Sequence, residues 1–223
     1  MKLVLKFGQY IVLALFLLLV IIVFKEKNFL NEKSATDAVI IKSAIDYDED
    51  GIDDYTDILD GAKEFVDKKP KYKSKYYDGG YPDDDYYVCT DVIWYALKNA
   101  GYDFKSMIDL DIKENKKDYD IDVIDSNIDF RRVKNIKVFL DKYTLSLTTD
   151  GEESDEFNPG DIVVYKNHIA VVGDKLNKDN VYYIIHHDGV HNYIDNGLMR
   201  NTIVGHYRFI LNEDYENLIS LTK

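Results

Sequence analysis

The 223-residue chain carries 41 acidic and 28 basic residues, a formal net charge of −13, and 46% of its residues are hydrophobic. This length and apolar content favour one well-buried domain with an appendage and exclude a wholly disordered chain. The acidic balance argues against nucleic acid as a partner, because phosphate binding needs a basic stripe. With a single cysteine, no intrachain disulfide can form, so cysteine pairing does not indicate the compartment.

An uncharged apolar run extends from Phe7 to Phe24. It is long enough to span a bilayer as a helix, so we predict a membrane anchor over residues 1–24, followed by a spacer over residues 25–45. The absence of a small-x-small site after it disfavours a cleaved signal peptide, and its apolar character on all faces disfavours a buried soluble helix. Lysines flank both ends, so charge alone does not set the orientation.

An acidic segment at residues 46–57 has carboxylates at alternate positions, a glycine at the sixth position and a carboxylate at the twelfth. This pattern predicts a structural Ca²⁺ loop, similar to the single loops of dockerins and thrombospondin type 3 repeats. The expected ligands are Asp46, Asp48, Asp50, the Ile52 carbonyl and Asp57. The alternative is an acidic turn that caps the helix predicted to follow it.

Cys89 lies at the start of a predicted helix that runs to Gly101, after a tyrosine-rich and acidic loop. A thiol at this place meets the positive end of the helix dipole and free backbone N–H groups, both of which favour the thiolate. The alternative is an inert, buried thiol.

The apolar spacing in the remainder of the chain predicts a second helix near residues 132–143. After this helix, the apolar residues no longer recur at helical spacing. Short β-branched and aromatic runs at residues 159–165, 168–172 and 181–185 predict an antiparallel meander, and residues 205–210 predict a last strand. Helices first and strands second indicate an α+β domain over residues 58–223. Residues 103–125 are strongly charged and give no clear pattern.

A helix-borne cysteine and a later strand histidine are what a thiol peptidase or amidase needs. Cys89 is the candidate nucleophile and His168 the candidate base. His186 on the next strand is the candidate orienting group, with His187 left open as the alternative. The candidate substrate-binding residues are Tyr87, Asp91, Arg131 and Arg132, although a salt-bridged structural role is equally open for the two arginines.

The chain resembles a bacterial family of unknown function placed in the NlpC-type, papain-like cysteine peptidase superfamily. The resemblance covers about residues 46–210 and is carried by these blocks: Val88–Asp91, Asn127–Val133, Pro159–Val163, His168–Val172, Ile185–His186 and Gly205–Phe209. It implies a papain-like α+β fold with the cysteine helix packed on a small antiparallel sheet, and Cys89, His168 and His186 as the catalytic set.

The same resemblance implies action on peptide or amide bonds of peptidoglycan, and therefore a domain outside the cytoplasm of a single-pass membrane protein. We thus expect a thiol hydrolase whose partners are the membrane and cell-wall peptide, with no organic cofactor. Two alternatives remain: a non-catalytic wall-binding module of the same fold, braced by Ca²⁺, and a Ca²⁺-dependent adhesion or scaffold protein.

Overall fold

A computed structural model describes residues 13–23, 35–151, 153–191 and 193–220. Helix α1 occupies residues 13–23. The other helices are α2 (Asp54–Asp67), α3 (Cys89–Asn99), α4 (Phe104–Glu114), α5 (Val133–Tyr143) and α6 (Glu213–Ser220). The strands are β1 (Thr36–Asp37), β2 (Lys71–Tyr72), β3 (Tyr86–Tyr87), β4 (Leu145–Ser146), β5 (Ile162–Tyr165), β6 (His168–Leu176), β7 (Tyr182–Ile185), β8 (Ile194–Asp195) and β9 (Ile203–Arg208). The α+β class with an antiparallel sheet is confirmed.

The main sheet has the order β4-β9-β5-β6-β7-β8, and every neighbouring pair in it is antiparallel. The predicted meander of β5, β6 and β7 is confirmed. The last strand, β9, does not continue the meander but returns to pair with β5. The predicted spacer also contributes to the sheet, because β1 pairs with the far end of β6.

Alternation along the strands divides the apolar core into two faces. Ile169 and Val171 of β6 face the helices, together with Ile162 and Val164 of β5. Ala170 and the other alternate residues face a smaller cluster under the loop that follows β8. Both faces of β5 and of residues 169–172 of β6 are thus covered, which explains why these stretches are apolar throughout rather than alternating.

Helices α2 and α3 pack closely, and this contact positions the helix that begins with Cys89. A Cβ on Gly61 of α2 would lie 2.6 Å from the Cβ of Asn99, so only glycine permits this separation of the two helices. The Asn99 side chain donates to the carbonyl of Asp57 at 2.9 Å. The end of α3 is therefore fixed against the start of α2.

The Pro-Gly-Asp block at the start of β5 has a structural function. Gly160 has φ of +95°, and a Cβ there would lie 2.6 Å from the Tyr55 carbonyl oxygen. The Asp161 carboxylate accepts two hydrogen bonds of 2.8 Å from Arg208 and one of 3.0 Å from His206 Nε2. This motif therefore ties β5 to β9 and to α2 rather than contributing to chemistry.

The predicted anchor, residues 1–24, lies partly outside the described residues, which leave out residues 1–12 and residue 24. Within the described part of the chain, no helix combines the length and apolarity needed to cross a membrane. Residues 13–23 are helical, and their large apolar side chains are 41–62% exposed.

Candidate active site

The helix that carries Cys89 has no capping side chain at the residue before it, and a carboxylate in its own first turn supplies the contact instead. Val88 is extended, with φ of −132° and ψ of 177°, and its side chain cannot accept a hydrogen bond. The carboxylate of Asp91, in the first turn, accepts from the backbone N–H of Val88 at 2.7 Å instead. This contact fixes where the helix begins and makes Cys89 its first residue.

Asp91 and Arg131 form a buried ion pair instead of a substrate-binding pair. The guanidinium donates from Nε and Nη2 to the two carboxylate oxygens, both at 2.8 Å, and the indole of Trp94 donates to the same carboxylate at 2.8 Å. The exposed side-chain fractions are 0% for Asp91 and 1% for Arg131. A charge pair this enclosed braces the start of α3, and it offers no surface to a ligand.

The Cys89 thiol is buried, with 7% of the residue exposed. Burial raises its pKa to about 11, although the backbone N–H groups of Ile169, Thr90 and Cys89 itself act in the opposite direction. The thiolate expected from the helix dipole is therefore not the resting form, because loss of solvation outweighs the dipole and the donors. The Ile169 contact also places the sulfur beside the first residues of β6.

A relay of three side chains crosses the ends of neighbouring strands. His168 Nε2 lies 2.9 Å from His186 Nδ1, and His186 Nε2 lies 3.4 Å from the Asp195 carboxylate. Arg200 donates to the same carboxylate oxygen at 2.8 Å. Strand β6 thus supplies the candidate base and β8 the carboxylate, and His186, the candidate orienting group, directly follows the last residue of β7.

The hydrogen-bond order determines the tautomers of both rings. The Asp195 carboxylate can only accept, so His186 carries its proton on Nε2 and accepts at Nδ1 from His168 Nε2–H. His168 Nδ1 is therefore the unprotonated nitrogen. Burial, together with the neighbouring His186, lowers the pKa of His168 to about 4. His168 is thus a neutral imidazole with a lone pair available as a base.

His187 lies apart from this relay. Its side chain is buried among aromatic rings, 5.1 Å from the ring centroid of Tyr72 and 5.3 Å from that of Tyr193. Neither ring nitrogen has a hydrogen-bond partner among the described residues, and burial lowers its pKa. Of the two histidines left open by the sequence, His186 is the one that contacts His168.

An open hollow of about 610 Å³ borders the site on the β8 side. It is lined by Tyr72, Tyr193, His191 and Gly189, among others. A Cβ on Gly189 would lie 2.5 Å from the Cβ of Tyr72, so the backbone at Gly189 packs directly against the tyrosine. Tyr193 donates to the Pro70 carbonyl at 2.6 Å. The rings of Tyr72 and Tyr193 thus form part of the lining of the hollow.

Tyr87 and Arg132, the other two predicted substrate-binding residues, lie in different surroundings. Tyr87 packs edge-on against Phe65 at 5.3 Å and borders a smaller hollow of about 240 Å³. The Arg132 side chain is 41% exposed and pairs with Asp129 at 3.5 Å. The structure leaves both at the surface of the helical half, where neither contacts the relay.

Sequence reasoning missed Asp195 and Arg200. The run Tyr193-Ile194-Asp195 before Asn196-Gly197 has the alternation of a very short strand, which is the only local signal of Asp195. Its place in the relay depends on the pairing of β8 with β7, in which Ile184 lies opposite Asp195. Such a contact between distant residues is not visible in the local pattern.

The family model named Domain of unknown function (DUF1287) matches residues 59–209 of this chain. The chain belongs to the DUF1287 family. "Uncharacterized protein YijF" of Escherichia coli (strain K12) is 30% identical over an alignment that covers 69% of this chain and 81% of the relative. No solved structure matches. The comparisons thus establish the family, and the likeness to NlpC-type, papain-like peptidases belongs to the proposal below.

The DUF1287 match includes Cys89, His168, His186 and Asp195 but not the acidic loop at residues 46–57. In that loop, carboxylate oxygens of Asp46, Asp48 and Asp50 lie within 4.8 Å of one another. The loop thus precedes the residues that the family model matches.

Asp57 is 3% exposed, and its Oδ2 is buried without a hydrogen-bond partner among the described residues. Burial and the neighbouring carboxylates, led by Asp50 and Asp48, raise its pKa to about 7. The remaining predicted ligand is the carbonyl of Ile52, a residue that lies between Asp50 and Asp57 in the sequence and is 43% exposed.

Proposed function

We propose that this DUF1287 protein is a membrane-anchored thiol hydrolase, a peptidase or amidase of papain-like character, that acts on amide bonds of cell-wall peptide outside the cytoplasm. The observation that carries this proposal is the relay of Asp195, His186 and His168 at the head of β6, where the Ile169 amide contacts the Cys89 thiol. A partly buried carboxylate that orders two imidazoles beside a helix-borne thiol has the form of a nucleophile, a base and orienting groups.

The chemistry follows from the protonation states. Cys89 is a neutral thiol and His168 a neutral imidazole, so His168 Nδ1 takes the Sγ proton as sulfur attacks the carbonyl carbon. The N–H groups at the start of α3 point to the place where the oxyanion develops. The imidazolium then returns its proton to the leaving amine, which breaks the C–N bond. Water, deprotonated by the same imidazole, finally hydrolyses the thioester and regenerates the thiol.

Asp195 acts as a positioning residue for this reaction. Formation of the His168 imidazolium places a charge next to His186, and the Asp195 carboxylate stabilises that charge through the intervening ring. Arg200 holds the carboxylate ionised and oriented. The pKa of Asp195 is below its usual value because the bonds from His186 and Arg200 outweigh its burial.

Attachment to a membrane is supported by the first described segment, whereas the location outside the cytoplasm rests on the resemblance to peptidoglycan peptidases. Helix α1 exposes its large apolar side chains, from Leu13 to Val23, which hydrocarbon would cover. The substrate class is supported by the hollow beside the site, because it is open and is lined by Tyr72 and Tyr193. An extended peptide stem can pack against these rings.

The decisive experiment is a digest of purified peptidoglycan with the full-length protein, with the released peptides identified by mass. Cys89→Ala is expected to abolish release. Asp195→Asn is expected to lower kcat by roughly tenfold or more with little change in KM, because it disturbs the tautomer order rather than binding. Lys166→Ala, an exposed change in the turn before His168, is the matched control and should retain wild-type rates.

Release of the same peptides by Cys89→Ala would refute the proposal and leave a wall-binding module as the function. Retention of full activity by Asp195→Asn would refute the relay while leaving the nucleophile in place.

A further inference from the structure

The acidic segment at the start of the domain contains two carboxylates whose hydrogen bonds serve the fold and four others, one of which keeps a buried oxygen without a donor. Asp53 caps α2, accepting from the Thr56 hydroxyl at 2.7 Å and the Ser43 amide at 2.8 Å. Asp54 accepts from the Tyr102 hydroxyl at 2.5 Å and the Tyr47 amide at 2.8 Å. These two residues serve the fold, and capping accounts for them fully.

Four other carboxylates belong to the same segment, and of these Asp46 and Asp50 accept backbone N–H groups of their own turn. Asp46, Asp48 and Asp50 bring oxygen atoms within 4.8 Å of one another. Asp57, from the first turn of α2, is 3% exposed and keeps one buried oxygen without a donor. In the part of the chain that the structure describes, no lysine or arginine lies within ion-pair distance of any of the four.

A buried carboxylate oxygen without a donor is costly, and three further carboxylates beside it increase the cost by repulsion. The turn keeps them together, since Asp46 accepts from the backbone N–H of Gly51 at 2.9 Å, and Gly51 has φ of +95°. The missing partner must therefore be positive, small and able to contact several oxygens at once. A divalent cation meets all three conditions.

We propose that Asp46, Asp48, Asp50, Asp57 and the Ile52 carbonyl bind one Ca²⁺ ion, which fixes the acidic loop to the start of α2. An all-oxygen set from a flexible loop suits Ca²⁺ better than Mg²⁺, which demands strict octahedral geometry and keeps its waters. The site is independent of the thiol chemistry proposed above.

The ion stabilises the contact between the loop and the far end of α3. The Tyr47 ring stacks on Tyr102 with centroids 4.1 Å apart, and a Cβ on Gly101 would lie 2.7 Å from the Asp48 Cβ. Asn99 donates to the carbonyl of Asp57, the buried ligand itself. Occupancy of the site therefore determines how firmly the helix that carries Cys89 is held at its other end.

The test is calorimetric titration of the chelated full-length protein with CaCl₂ and MgCl₂, joined to thermal unfolding at each concentration. We expect one Ca²⁺ per chain with Kd of about 10⁻⁴–10⁻³ M, and Mg²⁺ binding more weakly. At ten times Kd, the Tm should rise by roughly 3–6 °C.

Two variants and a control identify the ligands. Asp57→Asn should abolish the Ca²⁺-dependent shift while leaving the metal-free Tm equal to or above that of wild type, because it removes an uncompensated charge. Asp48→Asn, at an exposed position, gives the same test if Asp57→Asn fails to fold. Asp60→Asn, on the exposed face of α2, is the control and should keep the full shift.

A wild-type Tm and heat signal that do not respond to Ca²⁺ up to about 10 mM would overturn the site, since this exceeds the weakest extracellular modules. An equal Ca²⁺ response in wild type and in both ligand variants would overturn the ligand set.

Discussion

Cys89 is expected to react slowly with alkylating agents in the folded protein at neutral pH, although it begins a helix. The thiol pKa is about 11 in the fold, whereas a free cysteine has a pKa of about 8.5. At pH 7 the thiolate fraction is then roughly one in 10⁴ in the fold and about three in 100 in the unfolded chain. The folded protein should therefore be alkylated about 300-fold more slowly than the same protein in denaturant.

Whole-protein mass measures this rate directly, because Cys89 is the only cysteine in the sequence. Iodoacetamide labelling is followed from pH 6 to pH 10, with and without guanidinium chloride. The rate in denaturant should level off above about pH 8.5, while the native rate should keep rising about tenfold per pH unit. Restricted access lowers the native rate by a constant factor and leaves this slope unchanged, so the slope isolates ionisation.

A native rate that is already high and flat between pH 5 and pH 8 would refute this reasoning. It would mean that Cys89 and His168 rest as a thiolate and an imidazolium, and that the dipole and the N–H donors outweigh burial. The proposed hydrolase would survive that result, but with an ion pair in place of a general-base step.

Two further predictions concern stability. The pKa of His168 is about 4 in the fold, whereas an unperturbed histidine has a pKa of about 6.5. The unfolded chain therefore binds the proton first, so stability should fall by roughly 3 kcal/mol as pH drops from about 6.5 to about 4. Urea midpoints at pH 7 and pH 4.5 measure this loss, which His168→Gln should largely remove; an unchanged loss in the variant would contradict it. Asp91→Ala should cost about 3–5 kcal/mol by stranding the buried Arg131 charge, whereas Arg132→Ala, at an exposed site, should cost less than about 0.5 kcal/mol in the same urea assay. Similar costs for the two changes would show that the buried pair does not brace α3.

The helices and strands that could be predicted are those whose apolar period is uninterrupted. Helix α3 and the β5–β6 hairpin follow from local spacing and from a two-residue turn. Helix α4 was not predicted, although Phe104, Ile108 and Ile112 have helical spacing. Asp111 interrupts the apolar stripe yet is fully buried, because Tyr143, Tyr119 and Lys142 all donate to it. The sequence alone does not distinguish a buried carboxylate that has hydrogen-bond donors from a carboxylate at the surface.

The same ambiguity affected the site. Arg131 reads as a possible substrate clamp from its charge, and only its contact with Asp91 shows that it is enclosed. The helix start indicates that the pKa of Cys89 is shifted, but it does not give the direction of the shift. That direction depends on burial, and therefore on how β6 packs around the sulfur. Asp195 required the register of β8. Local chemistry predicted the candidate groups, whereas the long-range packing determines their ionisation.

Helix α3 joins the two motifs that the sequence treats as separate. In its first turn, the Asp91 carboxylate accepts from the Val88 amide and so fixes the position of Cys89, the first residue of the helix. Its last residue, Asn99, donates to the backbone carbonyl of Asp57. Asp57 is also the residue whose buried carboxylate belongs to the acidic segment. An 11-residue helix moves as one body when both ends are held. The acidic loop precedes residues 59–209, which the DUF1287 model matches. A segment before that match therefore contacts the end of the helix whose first residue is Cys89, the candidate nucleophile.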